Sequence, residues 1–147
     1  MQNPVIRTFR WDDEAEVIAL WQRSGLVVPW NDPRADIERK CADSPDLFFV
    51  ALSDHALIAS CMAGYDGHRG WIYYLAVDNA YRRQGIATIL VEYVEAALVR
   101  LGCPKIDLMV RNNNEGVIAF YRSIGYAPDP VTVLGKRLIK DEPHDFA

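Results

Sequence analysis

The sequence predicts a mixed α/β domain of the α+β kind, with helices packed on a largely antiparallel sheet. Three observations carry that reading. Two helix-start signals follow a first short β-like run. Three further strand patterns are then separated only by short polar turns, which favours antiparallel neighbours. After them, helical and strand patterns alternate toward the end of the chain.

Each element has its own justification. Residues 5–9 alternate and read as an edge strand. Asp12 or Asp13 can cap a first helix that has Val17, Leu20 and Trp21 inward and Gly25 as its stop. Asp32-Pro33 starts a second helix, a cap followed by proline at the first helical position, with Ile37 and Cys41 on one side. Residues 47–52 and 57–65 read as two strands joined through Ser53-Asp54-His55-Ala56 as a hairpin. The polar turn Asp66 to Gly70 leads to a strand over 71–77. The next helix is the most periodic, with Ile86, Ile89, Leu90, Tyr93, Val94, Ala97, Leu98 and Leu101 on one stripe before Gly102 ends it. A strand over 106–110 follows. Asn114 can cap a helix that carries Val117, Phe120, Tyr121 and Ile124 inward and stops at Gly125. A last strand is expected over 131–138, and residues 141–147 read as a polar tail.

Composition narrows the classes. A chain of 147 residues fits one domain, taken as 1–147, with a real core. Its net charge of −4 gives no sign of a nucleic-acid partner. The N-terminal run Met1-Gln2-Asn3-Pro4-Val5 has no basic region before an apolar stretch, so neither a signal peptide nor a membrane span is expected. Cys41, Cys61 and Cys103 are odd in number and widely spaced. They suit neither a disulfide framework nor a zinc site, and agree with a reducing cytoplasm.

The most informative stretch is Arg82-Arg83-Gln84-Gly85-Ile86-Ala87, between a strand and the periodic helix. A glycine turn lets backbone approach a ligand, and the first helical turn offers free N–H groups and partial positive charge. Two arginines add formal charge, so the turn reads as a seat for a phosphorylated cofactor.

Tyr73-Tyr74-Leu75-Ala76-Val77 followed by that turn resembles the core motif of the GNAT N-acetyltransferases: Gln or Arg, two variable residues, Gly, one variable residue, then Gly or Ala. Arg82, Gly85 and Ala87 fill those places. Asn114, Phe120-Tyr121 and Gly125-Tyr126 resemble a second family segment. Pro29 to Pro33, Gly64 to Gly70 and Gly135 to Ile139 look like the family's bacterial YpeA-type branch. Asn79 stands where proline is common.

The resemblance implies a GNAT-like fold of about six to seven strands and about four helices, splayed between the fourth and fifth strands. It implies acetyl-CoA as co-substrate, an amine acceptor and no metal. The pyrophosphate would take N–H groups from Arg83, Gln84, Gly85, Ile86 and Ala87, beside Arg82. The pantetheine would pair with backbone at Leu75, Ala76 and Val77, with Asn114 also holding it. Val77 N–H would polarise the thioester carbonyl and Tyr121 would protonate the leaving thiolate. Many members carry a basic glutamate where Trp71 stands here. A water chain, Asp66 or His68 could take that role, with Tyr73 orienting a water. Trp30, Asp66, His68, Trp71 and Tyr73 are the expected acceptor side. The acceptor could be a small amine or a protein amine, and the protein a monomer or a homodimer. The missing glutamate also leaves open a non-catalytic acyl-CoA-binding or sensing module.

Overall fold

A computed structural model describes residues 3–147; Met1 and Gln2, part of the N-terminal run read above, lie outside the described residues. In chain order the elements are β1 (Val5–Thr8), α1 (Glu14–Arg23), α2 (Pro33–Asp43), β2 (Phe48–Ser53), β3 (Ala56–Tyr65), β4 (Gly70–Val77), α3 (Ile86–Arg100), β5 (Ile106–Leu108) and α4 (Glu115–Ser123). The five strands form one sheet in sequence order, antiparallel except for the parallel β4–β5 pair.

Strand alternation splits the core in two. Phe48, Val50 and Met62 face α1 and α2, where Val17, Leu20, Trp21 and Ile37 are buried. Phe49, Ala51 and Cys61 face α3 and α4, where Leu90, Val91, Val94, Leu98 and Tyr121 are buried. The α3 stripe is narrower than its sequence pattern: Tyr93 and Leu101 are 40% and 54% exposed, and Val91 is fully buried instead.

Local chemistry sets the junctions. Asp54 (φ 48°) and His55 (φ 67°) form a two-residue turn with Ser53 opposite Ala56, so His55 is a turn residue. Asp32 caps α2 by accepting from Arg34 N–H, and Asn114 caps α4 by accepting from Val117 N–H. Gly70 joins β4 to β5 through its N–H to Lys105 O at 2.8 Å. A Cβ there would sit 2.7 Å from Cys103 Sγ, so any larger residue forces its neighbours to shift. In the middle of β4, Ser60 faces Ala76 and Met62 faces Tyr73, which leaves Tyr74 and Leu75 opposite Cys61 alone. This is a β-bulge, with Tyr74 at φ 51°.

Four expectations need correction. Residues 131–138 form no strand, so the sheet has five strands rather than six to seven. Residues 127–140 are instead exposed and irregular, held at one end by Lys105–Asp129 (2.6 Å) and at the other by Asp141. β5 ends at Leu108 rather than Val110, because its partner strand bulges just past Ile72. Asp13 does not cap α1 with its side chain. Its buried carboxylate accepts from the Arg7 guanidinium (2.8 and 2.9 Å) and Arg10 N–H (2.8 Å). Residues 141–147 are more than a polar tail: Asp141 is buried, His144 Nε2 meets Val28 O at 2.9 Å, and Phe146 packs on the α1–α2 core. No described helix is long and apolar enough to cross a membrane.

Candidate active site

β4 and β5 pair only from Gly70 to Ile72, opposite Ile106 to Leu108. Beyond that the strands part, and a cleft of about 900 Å³ opens between them. Tyr73, Tyr74 and Leu75 of β4 line it, with Met109 to Arg111 after β5, and Asn114, Val117 and Tyr121 of α4. The bulge and the parted strands leave backbone groups of β4 without strand partners. Asp78 N–H donates to Ile58 O at 2.8 Å, so Asp78 faces β3. Successive N–H groups alternate sides, which directs those of Val77 and Leu75 away from β3, toward the side where β5 has left. Ala76 turns its side chain into the α1–α2 core and contributes only backbone.

The chain then enters the glycine turn. Asp78 steadies it, accepting from Ala80 N–H at 3.0 Å while pairing with Arg23 at 2.8 Å. Arg83 (φ 63°) and Gly85 (φ 74°) are both left-handed, and Gly85 sits directly before α3. Among the described residues, the N–H groups of Arg83, Gln84, Gly85, Ile86 and Ala87 have no acceptor, and Arg82 and Arg83 have no carboxylate partner. Arg82 to Gly85 are exposed. A helix start with free donors and two unpaired guanidiniums favours an anion.

Tyr121 is 6% exposed, yet its hydroxyl has no hydrogen-bond partner among the described residues and it lines the cleft. Phe120 and Tyr126 hold its ring edge-on at 5.1 and 5.4 Å. Burial pushes its pKa above the ordinary tyrosine value, so it stays a proton carrier at neutral pH. Asn114 is exposed on the same wall, its Oδ1 engaged in capping α4.

On the opposite side, Trp71 Nε1 donates to Asp66 Oδ2 at 3.1 Å. The other Asp66 oxygen accepts the N–H groups of Arg69 (2.7 Å) and His68 (2.8 Å). The Arg69 and His68 bonds, then the indole, hold the Asp66 carboxyl at about 2. Asp66 is therefore a permanent negative charge and a weak base. Tyr73 also lines the cleft, its pKa raised first by burial and then by the Asp66 charge.

The cleft thus gathers Tyr73, Leu75, Asn114 and Tyr121 with Asp66 and Trp71; Ala76, Val77 and residues 82–87 lie outside its lining, and so do two residues expected on the acceptor side. His68 is exposed in the turn and does not line the cleft. Trp30 is 57% exposed outside the lining, with the Arg111 guanidinium 5.9 Å from its ring centroid.

Sequence reasoning missed a side-chain network at the α2 end of the cleft. Tyr74 stacks on Trp21 (3.9 Å between centroids) and donates to Asp36 at 2.6 Å. Arg39 bridges Asp36 (3.0 Å) to Asp141, and Asp141 also pairs with Arg137 (3.1 Å) and accepts Asp32 N–H (2.8 Å). Half-buried Lys40 donates to Ser44 Oγ at 2.7 Å and to Ala63 O, and burial lowers its pKa. Asp36 belongs to the run Asp32, Asp36, Asp43, Asp46, whose pattern reads as an ordinary solvated face. Nothing in that run points to Tyr74 or to the tail. Among the described residues, no group of three or more His, Cys, Asp or Glu could hold a metal ion.

Comparisons with known proteins bear on the family and the fold. A family model described as the acetyltransferase (GNAT) family matches residues 9–126. An acetyltransferase of Sodalis glossinidius is 52% identical over 140 residues, covering 95% of this chain and 99% of that one. Among solved structures, the NatC complex bound to Gag peptide and CoA aligns with a TM-score of 0.74 at 22% identity, over 86% of each chain. An aminoglycoside 6'-N-acetyltransferase of Acinetobacter haemolyticus gives 0.74 at 21% identity, over 92% of this chain and 99% of that one.

Proposed function

The chain belongs to the acetyltransferase (GNAT) family and is an acetyl-CoA-dependent acyltransferase, and we propose that it acetylates a primary amine by direct attack on the thioester. The family and the acetyltransferase relatives favour this over a non-catalytic acyl-CoA-binding module. The observation that carries the proposal is the parted β4–β5 pair, with outward-facing β4 N–H groups and the unpartnered Tyr121 hydroxyl on one cleft.

In this reading each side chain has a task. The N–H groups of Arg83 to Ala87 hold the CoA pyrophosphate, with Arg82 and Arg83 adding charge. Leu75 and Val77 N–H groups, with Ala76 in register between them, take the pantetheine as an added strand, and Asn114 steadies it from α4. The Val77 N–H donates to the carbonyl oxygen as negative charge develops there. The amine nitrogen bonds to the acetyl carbon and gives up an N–H proton to water, the C–S bond breaks, and the Tyr121 hydroxyl gives its proton to the departing sulfur and regains one from water.

A lysine-like amine has a reference pKa of about 10.4, so it must lose a proton before attack. Asp66, held ionised by the Trp71 indole and two N–H groups, draws the ammonium into the cleft and orients water that carries the proton out. Tyr73 lines the same approach. Asp36 is paired with Arg39, and Lys40 and Arg111 also line the wall, so Asp66, which has no ion pair among the described residues, is the carboxylate left to meet a cationic acceptor, whether a small amine or a protein amine.

A screen of amine acceptors with detection of free CoA tests the activity. Tyr121→Phe tests the mechanism: kcat falls about 100-fold while acetyl-CoA affinity stays within a few-fold. Unchanged turnover would remove Tyr121 from the acid role.

A further inference from the structure

The cleft wall carries charges that the chain itself does not neutralise. Asp66, Lys40 and Arg111 all line it, and none has an ion pair among the described residues. Arg111 is exposed and lies against the Trp30 ring, so water solvates its charge. Lys40 is different. It is half-buried, and a lysine withdrawn from water normally has an acid beside it.

The partners of Lys40 are neutral. Its ammonium donates to Ser44 Oγ at 2.7 Å and to Ala63 O. An ammonium has three donors, so one N–H has no acceptor among the described residues. The Asp43 carboxylate is engaged with the Ser44 hydroxyl at 2.8 Å and acts on Lys40 only at longer range. Burial outweighs that attraction and lowers the Lys40 pKa, as expected of a cation short of a counter-charge.

Lys40 also stands beside the expected acceptor residues. A Cβ on Gly64 would lie 3.8 Å from Lys40 Nζ, and Gly64 pairs with Trp71 across β3 and β4. Paired residues of an antiparallel ladder project to one face. Lys40 Nζ and the Trp71 indole therefore share the α2 face of the sheet, and the indole carries Asp66 at 3.1 Å. Lys40 and Asp66 form no ion pair with each other, so each is left to a ligand.

We propose, on the amine-acetylation reading above, that the acceptor is a free amino acid whose ammonium meets Asp66 and whose carboxylate takes the spare Lys40 N–H. One spare donor and one uncompensated positive charge match a carboxylate. A polyamine brings only positive charge, which Lys40 repels. A lysine within a protein brings an amine with no anion of its own and leaves Lys40 uncompensated. The same side chain thus attracts one class of amine and disfavours the others.

Release of free CoA from acetyl-CoA is measured with the standard L-amino acids, each beside its carboxamide and the amine that lacks the carboxylate. At least one amino acid is acetylated, and its carboxamide shows a kcat/KM lower by about 10- to 100-fold, through KM. Lys40→Met keeps the apolar stem and removes the charge. It lowers kcat/KM for the amino acid by a similar factor and leaves the carboxamide within about threefold. Its acetyl-CoA affinity and far-UV circular dichroism stay those of the wild type. A wild type that uses the carboxamide or the bare amine as well as the acid overturns the proposal. So does a folded Lys40→Met that loses acid and carboxamide alike; were the variant unfolded, the wild-type comparison decides alone. If polyamines or peptides are acetylated and no amino acid is, the amino-acid acceptor falls and amine acetylation stands. If no amine of any kind releases CoA, both fall.

Discussion

The two sides of the cleft are held in opposite ways. On the β4–α3 side, the groups facing the ligand are backbone N–H donors and two arginines without carboxylates. On the α2 side the polar side chains are already committed: Tyr74 to Asp36, Asp36 to Arg39, Arg39 to Asp141, and Asp66 to Trp71. The first side is a set of unfilled donors whose strength appears only when an anion arrives. The second is a finished network in which one change is felt by several residues. Substitutions on the donor side should therefore change affinity alone, and those on the acceptor side should reach further.

The sharpest test is Gly85→Glu. No neighbour lies within 4 Å of the position a Cβ would take, so the folded chain accommodates the substitution sterically. The left-handed φ of 74° adds strain of about 1–2 kcal/mol, and the carboxylate opposes the pyrophosphate. Calorimetry with acetyl-CoA should show at least about a hundredfold loss, with Gly85→Ala giving a much smaller one. Wild-type affinity in Gly85→Glu would break the contrast at its donor end.

Gly70→Ala probes the strand that the two sides share. Its Cβ would meet Cys103 Sγ at 2.7 Å, Leu98 Cδ1 at 3.0 Å and Ile106 Cγ1 at 3.2 Å. Overpacking there should cost about 1–3 kcal/mol, read as a lower thermal midpoint, and should weaken both ligands.

Asp141→Asn keeps the shape of the tail clamp and removes its charge. The acceptor KM should rise about three- to tenfold while acetyl-CoA affinity holds, because Arg39 loses the partner that sets Asp36 and Tyr74. A loss of acetyl-CoA affinity as well would show that the sides are coupled.

The smallest effect is on pH dependence. The Arg39 guanidinium, then the Asp32 N–H, lower the Asp141 carboxyl from 3.8 to about 2. A depressed folded pKa stabilises the clamp above the unfolded value, and that contribution fades as pH falls toward the folded one. Limited proteolysis should find the tail released between about pH 4 and pH 2, and firmly docked at neutral pH. Tyr121, whose pKa burial raises, should add no titration to the activity profile below about pH 10.

How much was legible follows the same division. The Asp32 and Asn114 caps, the Ser53–Ala56 hairpin, the glycine turn and the α3 stripe all depend on neighbours a few residues apart, and all stand in the structure except that Tyr93 and Leu101 drop out of the stripe. The bulge at Tyr74 was illegible because tyrosine has no preference for a left-handed φ; its stacking on Trp21 and its bond to Asp36 accompany that backbone geometry. The strand expected over 131–138 pairs with no strand in the structure: the segment is held only near its two ends, by Lys105 at Asp129 and by Arg39 at Asp141. His68 was chosen for its imidazole alone, and the turn that Asp66 folds leaves it outside the cleft.

The sequence by itself determined the family, the order of elements as far as α4 and the glycine turn before α3, since these rest on short-range patterns that any chain with these residues repeats. The tertiary structure decided where β4 and β5 part, that Asp66 beside Trp71 supplies the cleft's fixed charge, and that the tail closes the α2 side. Those features join residues as far apart as Arg39 and Asp141. No local preference encodes such a pair; it forms only when packing has brought both partners to the same surface.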